Sequence, residues 1–167
     1  MKKLSGSFLA GVVVAALATC LTFSGFAQAA ARMPQFVLKS AVDNSSVDSQ
    51  AFSGKVLLVS FFATWCPPCI EEIPSLIELQ DEYGKDGFSV IALSVDQGGT
   101  EAVARLAEKK KINYPVLMAD EETMEEFGGV YGVPVAFLVN KEGNVVKKYP
   151  GYVPKSILSK DIQSIMN

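Results

Sequence analysis

The sequence predicts an α/β domain, a mixed β-sheet with helices packed on its faces. Three observations predict it. Short apolar, β-branched runs at Lys55–Ala63, Phe88–Val95 and Val135–Val139 alternate with longer stretches of helical periodicity. The run Lys55–Ala63 is apolar at both alternating sets of positions, as a central strand covered on each side must be. The chain then closes with a hairpin signal, Lys141-Glu142-Gly143-Asn144, followed by one more helical pattern.

Taken in order, Pro34–Leu38 reads as a short strand entering the domain, and Asp43-Asn44-Ser45-Ser46 as a turn. Val47–Phe52 leads across Ser53-Gly54 into the central strand. Ile70, Ile73, Leu76, Ile77 and Leu79 then mark an amphipathic helix from about Cys69 to Tyr83, kinked at Pro74 and stopped by Gly84 and Gly87. After the strand Phe88–Val95 and the polar loop Asp96-Gln97-Gly98-Gly99, Thr100 is placed to cap a helix running to about Lys111. Its apolar stripe is Val103, Leu106 and Ala107, and Lys109, Lys110 and Lys111 complement the dipole of its last turn. Tyr114–Met118 reads as a short edge strand, and Glu121–Phe127 as a short acidic helix ended by Gly128-Gly129. Val130-Tyr131-Gly132-Val133-Pro134 leads into Val135–Val139, and Val145–Tyr149 returns as its hairpin partner. Residues 154–166 form the closing helix, with Ile157, Leu158, Ile162 and Ile165 expected inward.

The chemistry concentrates in Trp65-Cys66-Pro67-Pro68-Cys69, where the central strand turns into a helix. Cys66 falls at or just before the first helical turn, where unpaired N–H groups and the dipole favour a thiolate and make a usable nucleophile. Proline suits a helix start, because it has no N–H to lose there and its φ is already helical. A dithiol/disulfide redox centre follows. A structural zinc site needs four ligands, but the chain has no histidine and one other cysteine, Cys20. A permanent structural disulfide would close a very small loop and stabilise little. No metal and no cofactor are expected.

Of the 167 residues, 1–31 stand apart and 34–167 form the domain. Lys2 and Lys3 precede the apolar stretch Phe8–Phe26, Ala27-Gln28-Ala29 offers a cleavage site, and the first acidic residue is Asp43. This pattern is an export signal, with three outcomes open: cleavage, retention of residues 8–26 as a membrane anchor, or lipidation at Cys20. Export places the chain in the periplasm or cell envelope, where thiols are oxidised and a CxxC pair has disulfide exchange as its use. Without Lys2 and Lys3, the 15 basic residues become 13 against 18 acidic, a net charge of −5, which argues against a nucleic-acid partner.

Several motifs together resemble the thioredoxin superfamily, and within it the exported bacterial TlpA/ResA-type thiol–disulfide oxidoreductases. They are the strand into Phe61-Phe62-Ala63-Thr64-Trp65-Cys66-Pro67-Pro68-Cys69, the helix proline Pro74, the loop Gly132-Val133-Pro134, and Gly143 and Gly151. The resemblance spans residues 34–167. It implies a thioredoxin-like three-layer fold with an N-terminal β extension and an insertion between strands. It also implies a Cys66–Cys69 redox disulfide and a cis Val133–Pro134 peptide facing it. Trp65, Pro67, Pro68, Val133 and Pro134 become candidate substrate contacts, although Trp65 could equally pack against the sheet edge.

The departures matter. Ser60 stands where cytoplasmic thioredoxins carry a buried aspartate, so proton handling must move elsewhere. Glu72 lies three residues past Cys69 on the same helix face and resembles the glutamate of the family's CxxCxxE pattern, taken to exchange a proton with the second thiol. A solvated first-turn carboxylate is the plain alternative. Val135 replaces a frequent threonine. Relatives mostly act as envelope reductants, including for apocytochrome c, which implies protein disulfide or dithiol substrates, a membrane-bound electron donor and a monomeric enzyme. The rivals are a net oxidant, a thiol peroxidase, and a non-enzymatic holder or metallochaperone; the missing histidines speak against copper.

Overall fold

The structure, a computed structural model, describes residues 31–166. The predicted signal or anchor at 8–26 and Cys20 lie outside the described residues. Among the described residues no helix is long and apolar enough to cross a membrane.

Seven strands form one mixed sheet: β1 (Val37–Ser40), β2 (Ser46–Asp48), β3 (Val56–Phe62), β4 (Phe88–Ser94), β5 (Val116–Met118), β6 (Val135–Val139) and β7 (Val145–Pro150). Their spatial order is β2-β1-β5-β4-β3-β6-β7. The pairs β3–β4 and β4–β5 are parallel and the rest antiparallel. Four helices accompany them: α1 (Pro67–Tyr83), α2 (Glu101–Lys110), α3 (Glu121–Glu126) and α4 (Lys155–Met166).

Every residue of β3 is buried, because the sheet is covered on both faces. Leu58 and Phe62 point into one core, shared with Leu76 and Leu79 of α1, Val103 and Ala107 of α2, and Leu158 and Ile162 of α4. Leu57, Val59 and Phe61 point into the other, filled by Phe36, Phe52, Phe127 and Phe137. Strands β3, β4 and β5 step outward in one direction, and the right-handed crossover preference puts α1 and α2 on the same face. The three-layer thioredoxin-like fold with its N-terminal β extension is the one the sequence implied.

Four expectations are corrected. Strand β5 is not an edge: β1 pairs with it antiparallel from outside, Lys39 opposite Met118, so the extension moves the edge to the three-residue β2. The active-site helix begins at Pro67 rather than Cys69, because two prolines preset the first turn. Thr100 has helical backbone angles and its side chain caps nothing. In α4, Leu158 and Ile162 are buried while Ile157 is 46 % exposed, since neighbours in a helix diverge by about 100° and cannot both face the core. As expected, Gly84 is the C-cap of α1, with helical angles that lead into a 3-10 turn, and Gly87, at φ 89°, ends that turn.

Candidate active site

The site lies where the C-terminal ends of β3 and β4 meet the N-terminus of α1. Beyond β3 the chain is held by Asp96, just past the end of β4. Its carboxylate accepts the Thr64 N–H at 2.9 Å, the Thr64 hydroxyl, and the Ser94 hydroxyl at 2.8 Å. The Cys66 N–H then donates to Ala63 O at 3.2 Å, turning the chain into α1 with Cys66 as N-cap.

A helix start leaves four amides without intrahelical acceptors. Here the Cys66 amide is already taken by Ala63, and the next two positions, Pro67 and Pro68, have none. Ile70 N–H closes the first helical bond to Cys66 O at 3.2 Å. The Cys69 N–H is therefore the single amide of this turn left to meet negative charge at Cys66.

Cys66 and Cys69 are joined in a disulfide with Cα atoms 5.3 Å apart. Both are buried, at 4 % and 2 % exposure, while Trp65 at 69 % and both prolines project around them. Trp65 thus does not pack on the sheet edge. The Val133–Pro134 peptide is cis, and Val133 O stands 3.5 Å from Cys66 Sγ. Pro134 is buried, Val133 half-buried, and Tyr131 beside them is almost wholly exposed.

Glu72 is no solvated surface carboxylate: it is 3 % exposed. One carboxylate oxygen accepts the backbone N–H of Val153 at 3.0 Å. Burial holds its carboxyl above the usual range, and the Val153 bond draws it partly back. Glu72 and Cys69 line one small cavity with Ser60 and Tyr114.

The structure gathers Cys66, Cys69, Glu72, Trp65, Pro67, Pro68, Val133 and Pro134 at one end of the sheet. Sequence reasoning missed Asp96, Tyr131 and Val153. Asp96 could have been suspected as the first polar residue after an apolar strand, and Tyr131 as an aromatic set among glycines; Val153 contributes only backbone and leaves no signal.

The chain matches the Redoxin family over residues 28–164. It belongs to the redoxin family. A thiol-disulfide oxidoreductase ResA of Bacillus cereus is 33 % identical over 136 residues, covering 79 % of this chain and 75 % of that protein. ResA of Bacillus subtilis (strain 168) is 27 % identical over 125 residues, covering 75 % and 69 %. Among solved structures, a thiol:disulfide interchange protein of the thioredoxin family from Chlorobium tepidum TLS is 29 % identical with a TM-score of 0.76, covering 83 % of this chain and 97 % of its own. This redoxin is a TlpA/ResA-type thiol–disulfide oxidoreductase of the thioredoxin superfamily, and Cys66–Cys69 is its redox pair.

Proposed function

We propose that this redoxin reduces protein disulfides in the cell envelope, with Cys66 as nucleophile, Cys69 as resolving thiol and Glu72 as the proton acceptor for Cys69. The observation that carries the reading is the burial of Glu72 with Cys69 around one cavity, where a carboxyl held above its usual range can take a thiol proton.

The cycle balances as two exchanges. The Cys66 thiolate attacks one sulfur of a substrate disulfide; that S–S bond breaks, a mixed disulfide forms, and the departing substrate thiolate takes a proton from solvent. Cys69, giving its proton to Glu72, attacks Cys66 Sγ; the mixed disulfide breaks, the second substrate sulfur leaves as a thiolate that takes a proton from solvent, and Glu72 returns its proton to solvent. The substrate has gained two electrons, and the enzyme holds the Cys66–Cys69 disulfide. A membrane-bound dithiol donor would reset it. The exposed Trp65, Pro67 and Pro68 on one side and the Val133–Pro134 backbone on the other would receive an extended substrate segment. Apocytochrome c awaiting haem is the substrate class the family resemblance suggests, and a monomer suffices for the cycle.

Reduction is favoured over oxidation by the helix start. Strong oxidants stabilise their reduced thiolate heavily. Here two prolines leave a single amide for Cys66, and neither offers a side-chain donor. Export is supported by Lys2, Lys3 and the apolar stretch 8–26.

The deciding experiment is the equilibrium potential of the Cys66–Cys69 pair. A value near about −270 mV fits a reductant; one near about −120 mV would mean an oxidant. Cys66→Ser is expected to abolish exchange and Cys69→Ser to trap mixed disulfides. Glu72→Gln is expected to slow resolution, and a resolution rate with unchanged pH dependence in that variant would remove Glu72 from the mechanism.

A further inference from the structure

The cavity beside Cys69 has a composition its size makes informative. Its volume is ≈ 10 Å³, and its polar lining is Ser60 from β3, Tyr114 from the approach to β5, and Glu72 from α1. All three are more than nine-tenths buried, at 2 %, 7 % and 3 % exposure. No hydrogen bond runs from the Ser60 or Tyr114 hydroxyl to another described residue, and because no fully enclosed side-chain polar atom among them lacks a partner, both hydroxyls touch space large enough for water. Glu72 uses one carboxylate oxygen on Val153 and leaves the other free. Two hydroxyl-bearing side chains and a carboxylate thus border a space close to the minimum for one water.

We propose that Ser60 and Tyr114 are positioning residues: their hydroxyls and the free oxygen of Glu72 hold one water in this cavity, and that water sets the proton affinity of Glu72 facing Cys69. The inference rests on Glu72 as proton acceptor and adds the two residues that tune it. A buried water makes about three hydrogen bonds, the number these groups supply. Tyr114 stays neutral and so stays a donor, because burial and the neighbouring Glu72 charge both push its phenol far above the ordinary value. Ser60 thus occupies the strand position of the missing aspartate with a group that can orient a proton but not carry one.

Little else faces Glu72. The other titratable groups on the cavity are Tyr114 and, in the reduced protein, Cys69. From the loop before α4 comes only the Val153 N–H, and the first charged side chain of α4, Lys155, turns to Glu78 and Glu82 at 2.8 and 3.4 Å.

The test is the titration of the Glu72 side-chain carboxyl by carbon NMR in the oxidised protein, where both cysteines are silent, with Glu72→Gln identifying the resonance. Tyr114→Phe keeps the ring and Ser60→Ala removes one oxygen, and thermal melting confirms that each folds. Each is expected to move the Glu72 midpoint upward by about half a pH unit or more, since each weakens hydrogen bonding to the charged form. A midpoint unmoved in both folded variants overturns the inference. In the reduced protein the acid limb of the resolution rate is expected to move with the midpoint. A midpoint that moves while the rate profile does not would keep the positioning role and overturn proton transfer to Glu72.

Discussion

The Glu72 carboxylate accepts the backbone N–H of Val153, 81 residues further along the chain, at 3.0 Å. Two residues before Val153, the Gly151 N–H donates to Pro134 O at 2.8 Å. The short connection between β7 and α4 therefore fastens both the buried carboxylate behind Cys69 and the cis proline that follows Val133 in front of Cys66. Displacing that connection would disturb the proposed proton acceptor and the proposed substrate edge together, although neither cysteine is hydrogen-bonded to it.

Glu72 should weaken the fold at neutral pH. Burial raises its carboxyl pKa, and the Val153 bond offsets this only in part. A carboxyl whose folded pKa lies above the unfolded value of about 4.3 binds more protons in the native state, so stability falls as pH rises from that value through the folded one. Glutamine keeps the acceptor for Val153 and never charges. Oxidised Glu72→Gln is expected to melt a few degrees above wild type at neutral pH, with the gap closing below about pH 4. Thermal scans across that range check it, and equal melting temperatures at neutral pH would show the buried charge to be fully compensated.

Gly151 has φ +86°, and a Cβ there would meet nothing within 4 Å. Gly151→Ala therefore introduces backbone strain without a clash, about 1–2 kcal/mol in urea unfolding. Because the same residue holds Pro134 O, the expected signature is a slower reaction with protein disulfides beyond what the stability loss accounts for. A variant that is destabilised but reacts at the wild-type rate would uncouple this connection from the site.

Much of this was legible in the sequence, for physical reasons that also explain the rest. A strand that is apolar on both of its faces has one home, the covered centre of a sheet, and β3, polar only at Ser60, occupies it. The three-residue spacing from Cys69 to Glu72 fixes a shared helix face through local geometry alone. Whether that face meets water or protein depends on Val153, which the helix sequence does not contain. Strand β5 reads as an edge because its outer neighbour β1 comes from the opposite end of the domain and pairs through backbone. Asp96 is hidden in the same way, its partner Thr64 lying 32 residues earlier.

That clasp supports a further expectation. The Asp96 carboxylate takes two bonds from Thr64 and one from Ser94. Asp96→Ala leaves the Thr64 N–H and hydroxyl without their charged acceptor, a loss of about 2 kcal/mol. The turn it anchors carries Trp65 and Cys66, so the rate of the first exchange is expected to fall several-fold while the resolving step, governed from α1, changes little. Stopped-flow reduction of a protein disulfide separates the two steps, and an unchanged first step would confine Asp96 to stability.

Trp65 offers the opposite combination, large exposure with little structural duty. At 69 % exposure it contributes little to the core, so Trp65→Ala is expected to change unfolding free energy by no more than about 0.5 kcal/mol. If its ring lies against bound substrate, the loss falls on association. An aromatic contact of this kind is worth on the order of 1 kcal/mol, which predicts a several-fold rise in KM for a protein disulfide. A small disulfide such as oxidised glutathione reaches Cys66 without covering the ring and is expected to react at nearly the wild-type rate. Equal losses with both substrates would mean that Trp65 acts on the Cys66 thiolate itself, by shielding it from water, rather than on recognition.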